Sequence, residues 1–198
     1  GPGAGVAVQV ILALVPARGG SKGIARKNLR RLGDSTLLAL AIQCAHQANV
    51  FDRIVVSTED AEIKDAAEDA GADVIDRPEA LATDDASMLT VVFHALGEVP
   101  EADVVVLLQP TQPLRTAEHV RKSLQLFHES TADSVVSVVR IPDHYAPDWA
   151  LFLNARDRLV FPDTTPTRRQ ACRPAYSRCG TVYTIPVRTL RDGSLYGR

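Results

Sequence analysis

Three cysteines in 198 residues, with no Cys-x-x-Cys pair, exclude a disulfide framework and a zinc ribbon and fit a reducing compartment, the cytoplasm. Cys44, Cys172 and Cys179 therefore read as packing residues. No apolar run approaches the ~20 residues that span a bilayer. Internal repeats and low-complexity stretches are also absent. At 45% apolar and 23% charged residues the composition excludes disorder, collagen and coiled coil as the main architecture. The opening Gly1-Pro2-Gly3-Ala4-Gly5 lacks the cationic segment of a signal peptide and reads as an expression remnant.

Acid is missing where base is concentrated. No Asp or Glu precedes Asp34, while the same stretch carries Arg18, Lys22, Arg26, Lys27, Arg30 and Arg31, a local charge of +6. From Thr164 to Arg198 seven arginines face one acid, Asp192, again +6, and the body between holds 9 bases and 23 acids. Two cationic ends around an acidic middle point to a compact anionic ligand and away from a long nucleic acid, which needs a broad basic face. A solvated surface is the plainer alternative, and composition does not decide between them.

The run Val8–Val15 is almost continuously apolar, as a strand buried on both faces should be. Further strands are expected over Arg53–Thr58, Asp73–Asp76, Asp103–Leu108 and Ser134–Val139, with helices over Thr36–Ala48, Asp60–Ala70, Ala86–Leu96 and after the N-cap Thr116. Asp34 and Ser35 are the expected caps of the first helix, and Gly71 ends the second. Short apolar strands alternating with helices predict βαβ units, hence a three-layer α/β/α fold around a mostly parallel, Rossmann-like sheet. After Ile141 the alternation stops: residues 141–178 read as an insertion that packs on the sheet or on a second subunit, and Gly180–Pro186 returns to strand character.

The strongest chemical signal directly follows the first strand: Ala17-Arg18-Gly19-Gly20-Ser21-Lys22-Gly23-Ile24-Ala25-Arg26-Lys27-Asn28. In an open α/β sheet, ligands sit beyond the carboxyl ends of strands. Glycines let backbone N–H groups approach a phosphate, and Arg18, Lys22 and Lys27 add fixed positive charge. The segment matches neither GxxxxGK[ST] nor GxGxxG, so it is not one of the common nucleotide loops.

The loop resembles the signature segment of the acylneuraminate cytidylyltransferases (CMP-sialic acid synthetases). Three further stretches follow in family order: Phe51–Thr58, Arg77–Ser87 and Leu107–Arg115, with a weaker fourth from Arg169 through Tyr176 to Tyr183. The resemblance covers most of residues 8–183. It implies a nucleotide-diphospho-sugar transferase-like fold, residues 6–198 as a single nucleotidyltransferase domain with 141–178 as a dimerisation insertion, and an enzyme working as a homodimer. The implied reaction moves CMP from CTP to the anomeric hydroxyl of a sialic-acid-like nonulosonic acid, releases pyrophosphate and uses Mg²⁺; no nucleic acid or membrane takes part.

Residue by residue, the resemblance implies that Ala17, Arg18, Gly19, Gly20, Ser21, Lys22, Lys27 and Asn28 hold the nucleotide's phosphates, with Lys27, Arg18 and Lys22 as the catalytic cations. Arg77, Ala86 and Ser87 fall where the family reads cytosine and ribose; Gln109, Thr111, Arg115, Arg169 and Tyr176 fall on the sugar side. Plainer roles stand beside these: Arg77 as a surface arginine, Ser87 as a helix-start residue, Arg115 as a clamp for the Gln109 turn. Two departures are visible. Cys179-Gly180 replaces the family's Asn-Gly. The family's metal-binding Asp-x-Asp lies past the region matching Gly193–Gly197, whereas this chain stops at Arg198, so its metal ligands are unknown. If nothing replaces that motif, these 198 residues are expected to show weak activity or none even where CTP binds. An enzyme for a Kdo-type acid and a degenerate nucleotide-binding subunit are the alternatives.

Overall fold

Alternate side chains of the first strand feed two separate cores. Ala13 and Val15 face one side of the sheet and Leu12 and Leu14 the other, all four without solvent exposure. Each fully buried leucine contributes about 2 kcal/mol by apolar transfer. This β1 (Ile11–Pro16) is the axis of a computed structural model that describes residues 9–21, 23–160, 168 and 172–197.

After β1 the described elements run β2 (Arg31–Leu32), β3 (Ser35–Thr36), α1 (Leu37–Ala48), β4 (Arg53–Thr58), α2 (Ala61–Asp69), β5 (Asp73–Asp76), α3 (Met88–Glu98), β6 (Val104–Leu107), α4 (Ala117–Glu129), β7 (Val135–Arg140), β8 (Phe152–Leu153), β9 (Leu159–Val160), β10 (Tyr176–Pro186) and α5 (Val187–Arg191). Six strands make one sheet in the order β5-β4-β1-β6-β10-β7. β1 pairs in parallel with β4 and β6, and β4 with β5, whereas β10 runs antiparallel to β6. Helices α1, α2 and α4 pack on one face through Leu38, Ile42, Ile63, Val120 and Phe127; α3 and α5 cover the other through Val92, Ala95 and Leu190. The result is the expected three-layer α/β/α sandwich.

The chain moves outward from β1 to β4 and β5, then crosses back to β6 on the opposite side of β1. That reversal opens a crevice at the carboxyl ends of β1 and β6, the place where open α/β sheets hold ligands.

Helix starts follow local chemistry. Asp60, Ser87 and Thr116 cap α2, α3 and α4 by accepting the backbone N–H of Ile63, Thr90 and His119. The first helix differs from expectation: Thr36, accepting from Ala39 N–H, is its cap instead of Asp34 or Ser35. The reason is the β2–β3 hairpin, which turns at Gly33 (φ 64°) and draws Ser35 into a strand opposite Leu32.

Two compact units are present: residues up to Val136 together with those from Gly180 onward, and residues 137–179. In the second unit β8 and β9 form a two-stranded hairpin whose turn is pinned by Asn154 Oδ1, which accepts the N–H groups of Arg156 (2.9 Å) and Arg158 (3.1 Å). No helix among the described residues is long and apolar enough to cross a membrane.

Candidate functional site

The loop after β1 is anchored before it can bind anything. Ala17, fully buried, donates its N–H to Ser57 O (3.0 Å), and Asn28 Nδ2 donates to Arg18 O (2.9 Å), so the two ends of the loop are tied down. Gly19 N–H donates to Glu59 Oε1 (2.7 Å) at the carboxyl end of β4. A side chain at Gly19 would put Cβ 2.3 Å from Asp60 Oδ2, which explains why this position is glycine. Asp60 cannot readily yield, because it caps α2 and also receives the Arg26 guanidinium. That guanidinium bond, aided by the Ile63 N–H, holds the Asp60 carboxyl below its ordinary range. Arg26 reaches it from a left-handed backbone (φ 54°) and also pairs with Glu62 at 2.7 Å.

These anchors shape a cavity of about 200 Å³ at the crevice between β1 and β6. Its cationic side is Arg18, Lys27 and Arg77, with Ser21 and Asn28 beside them; its far side is Gln109, Pro110 and Thr111. Among the described residues no carboxylate lines it. The three cations are not equivalent. Arg77 is 6% exposed and committed, donating from Nε to Ser57 Oγ (3.1 Å) and from Nη2 to Ser57 O (2.6 Å). Burial draws its pKa below the ordinary value, with nearby Glu59 working in the opposite direction. Arg18 reaches across the mouth to Asp84 Oδ1 (2.5 Å) and Ala82 O (3.3 Å). Lys27 is half-buried, and among the described residues nothing hydrogen-bonds or pairs with its ammonium.

The opposite wall depends on Arg115. Its guanidinium, 7% exposed, donates to the backbone carbonyls of Thr181 (Nε) and Gln109 (Nη2), and its third nitrogen, Nη1, is buried with no hydrogen-bond partner. Burial pushes its pKa down to about 10, so it stays charged at neutral pH. Arg115 therefore sits behind the Gln109 turn as its clamp and does not line the cavity. Gly180 (φ 72°) passes so close that a Cβ there would lie 3.2 Å from Gln109 Oε1. A glycine is required at that point both by its left-handed backbone and by the glutamine's position.

Sequence expectations thus fall into groups. The structure brings Arg18, Ser21, Lys27, Asn28, Arg77, Gln109 and Thr111 around one cavity. Gly20 lines a second cavity with Arg18 and Ser21, while Gly19 is turned onto Glu59. Ser87 is the α3 cap; its neighbour Met88, and neither Ala86 nor Ser87, lines the main cavity. Tyr176 belongs to the second unit and is 59% exposed. Lys22 and Arg169 lie outside the described residues. Glu59, Asp60, Ser57 and Met88 were not anticipated. The rule that placed the first loop at a strand's carboxyl end applies equally to Glu59 and Asp60, directly after β4.

The described residues do not fit a magnesium ion. None of them form a group of three metal-ligating side chains, and the carboxylates that touch the loop, Glu59, Asp60 and Asp84, are engaged by Gly19, Arg26 and Arg18. A divalent ion requires oxygen ligands, chiefly carboxylates.

A family profile described as "Cytidylyltransferase" matches residues 12–147. The N-acylneuraminate cytidylyltransferase of Escherichia coli O18:K1:H7 is 40% identical over 131 residues, 66% of this chain and 31% of that protein. The CMP-N,N'-diacetyllegionaminic acid synthase of Legionella pneumophila is 37% identical over 180 residues, 87% of this chain and 76% of that protein. The chain therefore spans about a third of the first relative's length and three quarters of the second's. Among solved structures, CMP:2-keto-3-deoxy-manno-octonic acid synthetase complexed with CTP superposes with a TM-score of 0.73 at 19% identity, covering 93% of this chain and 77% of that one. At that identity the likeness shows the fold.

Proposed function

This chain belongs to the cytidylyltransferase family, and we propose that it transfers CMP from CTP to the anomeric hydroxyl of a sialic-acid-like nonulosonic acid, releasing pyrophosphate. The observation that carries the reading is the cavity lined by Arg18, Lys27 and Arg77 and, among the described residues, by no carboxylate, at the crevice where the sheet's connections reverse. The names of the two relatives, one acting on an N-acylneuraminate and one on diacetyllegionaminic acid, support the sugar class.

In this reading the sugar oxygen attacks the α-phosphorus in line with departing pyrophosphate: one P–O bond forms, one breaks, and the hydroxyl proton is released. Positioning and charge neutralisation then dominate the chemistry. Lys27 supplies a point charge to the phosphates, and Arg77, held rigid by Ser57, fixes the nucleoside end. Gln109, backed by the Arg115 clamp, faces the incoming sugar. Magnesium is proposed as the cofactor of the whole enzyme; the described residues do not form its site, and no step is assigned to it here. The cytoplasm is the proposed location, supported by the lack of any disulfide at Cys44, Cys172 and Cys179.

The test is pyrophosphate release with CTP, magnesium and a panel of sialic, legionaminic, pseudaminic and Kdo-type acids. Release with CTP and a nine-carbon acid is expected, at a low rate because the described residues form no magnesium site. Turnover only with ATP or UTP would end the cytidine assignment, and CTP binding without turnover would favour the degenerate-subunit reading.

We also propose that two copies pair through residues 141–178. Trp149, Leu151, Phe152, Leu153, Leu159 and Val160 are all exposed in the second unit, a density of apolar surface that monomers rarely carry. Light scattering should give twice the chain mass; a single-chain mass contradicts the pairing.

A further inference from the structure

Among the acids that hold the phosphate loop, Glu59 and Asp84 are built differently. Glu59 accepts the Gly19 N–H, and its second oxygen is shut away from solvent with no hydrogen-bond partner. Asp84 stands on the loop between β5 and α3 and grips Arg18 from across the mouth. The side chains of this pair are 35% and 32% exposed, and ion pairs of that kind are weak and exchange readily. Arg18 also has a particular location. It lines the main cavity and, with Gly20, Ser21, Thr83 and Asp84, a second cavity of about 260 Å³. The guanidinium is the wall shared by the two, and Asp84 fixes that wall in place.

We propose that Asp84 is a positioning residue, a latch that keeps Arg18 across the mouth of the cleft until a polyphosphate takes the guanidinium from it. The inference rests on reading the cleft as a triphosphate site. A polyphosphate chain offers several charged oxygens to the forked donors of Arg18, where Asp84 offers one carboxylate that Arg18 meets through a single nitrogen. When Arg18 leaves Asp84, the shared wall moves and the two cavities become continuous along the loop. Asp84 thereby sets how much of the binding energy is spent on releasing Arg18, without itself touching the nucleotide.

The experiment is calorimetric titration of the full chain with inorganic tripolyphosphate, alongside the CTP turnover assay. Asp84→Asn removes the charge that holds Arg18 and is expected to lower the tripolyphosphate Kd by ~2–5-fold, the strength of an exposed ion pair. Asp85→Asn removes the same charge one residue away and is expected to change the Kd by much less. In an Arg18→Ala background the gain from Asp84→Asn is expected to shrink to the size of the Asp85→Asn effect, since the cycle isolates the coupling between Asp84 and Arg18. An unchanged or raised Kd in Asp84→Asn, an equal gain from Asp85→Asn, or a gain undiminished in Arg18→Ala overturns the latch. So does a chain that binds no tripolyphosphate at all. If Asp84→Asn tightens tripolyphosphate through Arg18 while the chain turns over no CTP, the latch stands and the cytidylyltransferase reading fails. If CTP turns over and the variant shows no gain, the latch alone fails.

Discussion

Lys27→Ala is expected to lower kcat/KM for CTP by about a thousandfold while leaving the melting temperature of the chain within error of the unsubstituted protein. One preorganised charge or donor facing a developing anion is worth a factor of about 10²–10³. Lys27 is the cavity cation best placed to deliver that. Arg77 is held by Ser57 and Arg18 by Asp84, whereas Lys27 has no protein partner among the described residues. For the same reason its removal strands no buried group, and stability should not change. Lys27→Arg should recover only part of the rate, because a planar fork does not reproduce a compact point charge. Steady-state pyrophosphate release and a thermal melt of each variant check this; unchanged kinetics in Lys27→Ala would refute the triphosphate assignment of the loop.

Arg115→Met is expected to behave in the opposite way, with a loss of about 2–4 kcal/mol of folding stability, since a buried group left without its partner costs ~1–3 kcal/mol each. The substitution strips a donor from Thr181 O and from Gln109 O, although Gln109 O keeps the Gln112 N–H at 3.2 Å. The N–H that Gln109 O retains and relief from burying a charge offset part of the loss, which is why the expected figure falls below the full sum for two lost donors. Urea unfolding followed by circular dichroism reads the effect. A variant with full stability and a raised KM for the sugar acid alone would show that Arg115 grips substrate carboxylate and is no clamp.

The contrast between these two residues also shows what could be read ahead of the structure. β1, β4 and β5 were legible because their apolar or β-branched runs are bounded by Pro16, Asp60 and Arg77, and the strand–helix alternation sufficed for a parallel α/β sheet. The first helix cap was misplaced because a two-residue hairpin at Gly33 competes for Ser35, and no helical periodicity signals a hairpin. The antiparallel course of β10 was likewise hidden: pairing with β6 joins residues 76 or more apart, and strand direction across such a gap depends on the path of the intervening chain.

In the site, charge and glycine content marked the loop, but not which of the site's cations are committed to the protein. Burial separates them, placing Arg115 and Arg77 at 7% and 6% exposure with backbone or hydroxyl partners, and leaving Lys27 to the cavity. Arg115 was open between fork and clamp because its partners, Thr181 O and Gln109 O, are backbone atoms that carry no sequence signature. Glu59 escaped notice, and the contact of Asp84 with Arg18 with it, for the same kind of reason, since each acts on the loop from more than thirty residues away.

A crystal of the chain soaked with CTP decides whether the turn leaving β1 receives a triphosphate. Phosphate oxygens within hydrogen-bonding distance of Lys27 Nζ, with the guanidinium of Arg18 turned from Asp84 toward them, are the expected result. Nucleotide bound at another surface, with residues 17–28 making no contact to it, would overturn the phosphate role of the loop.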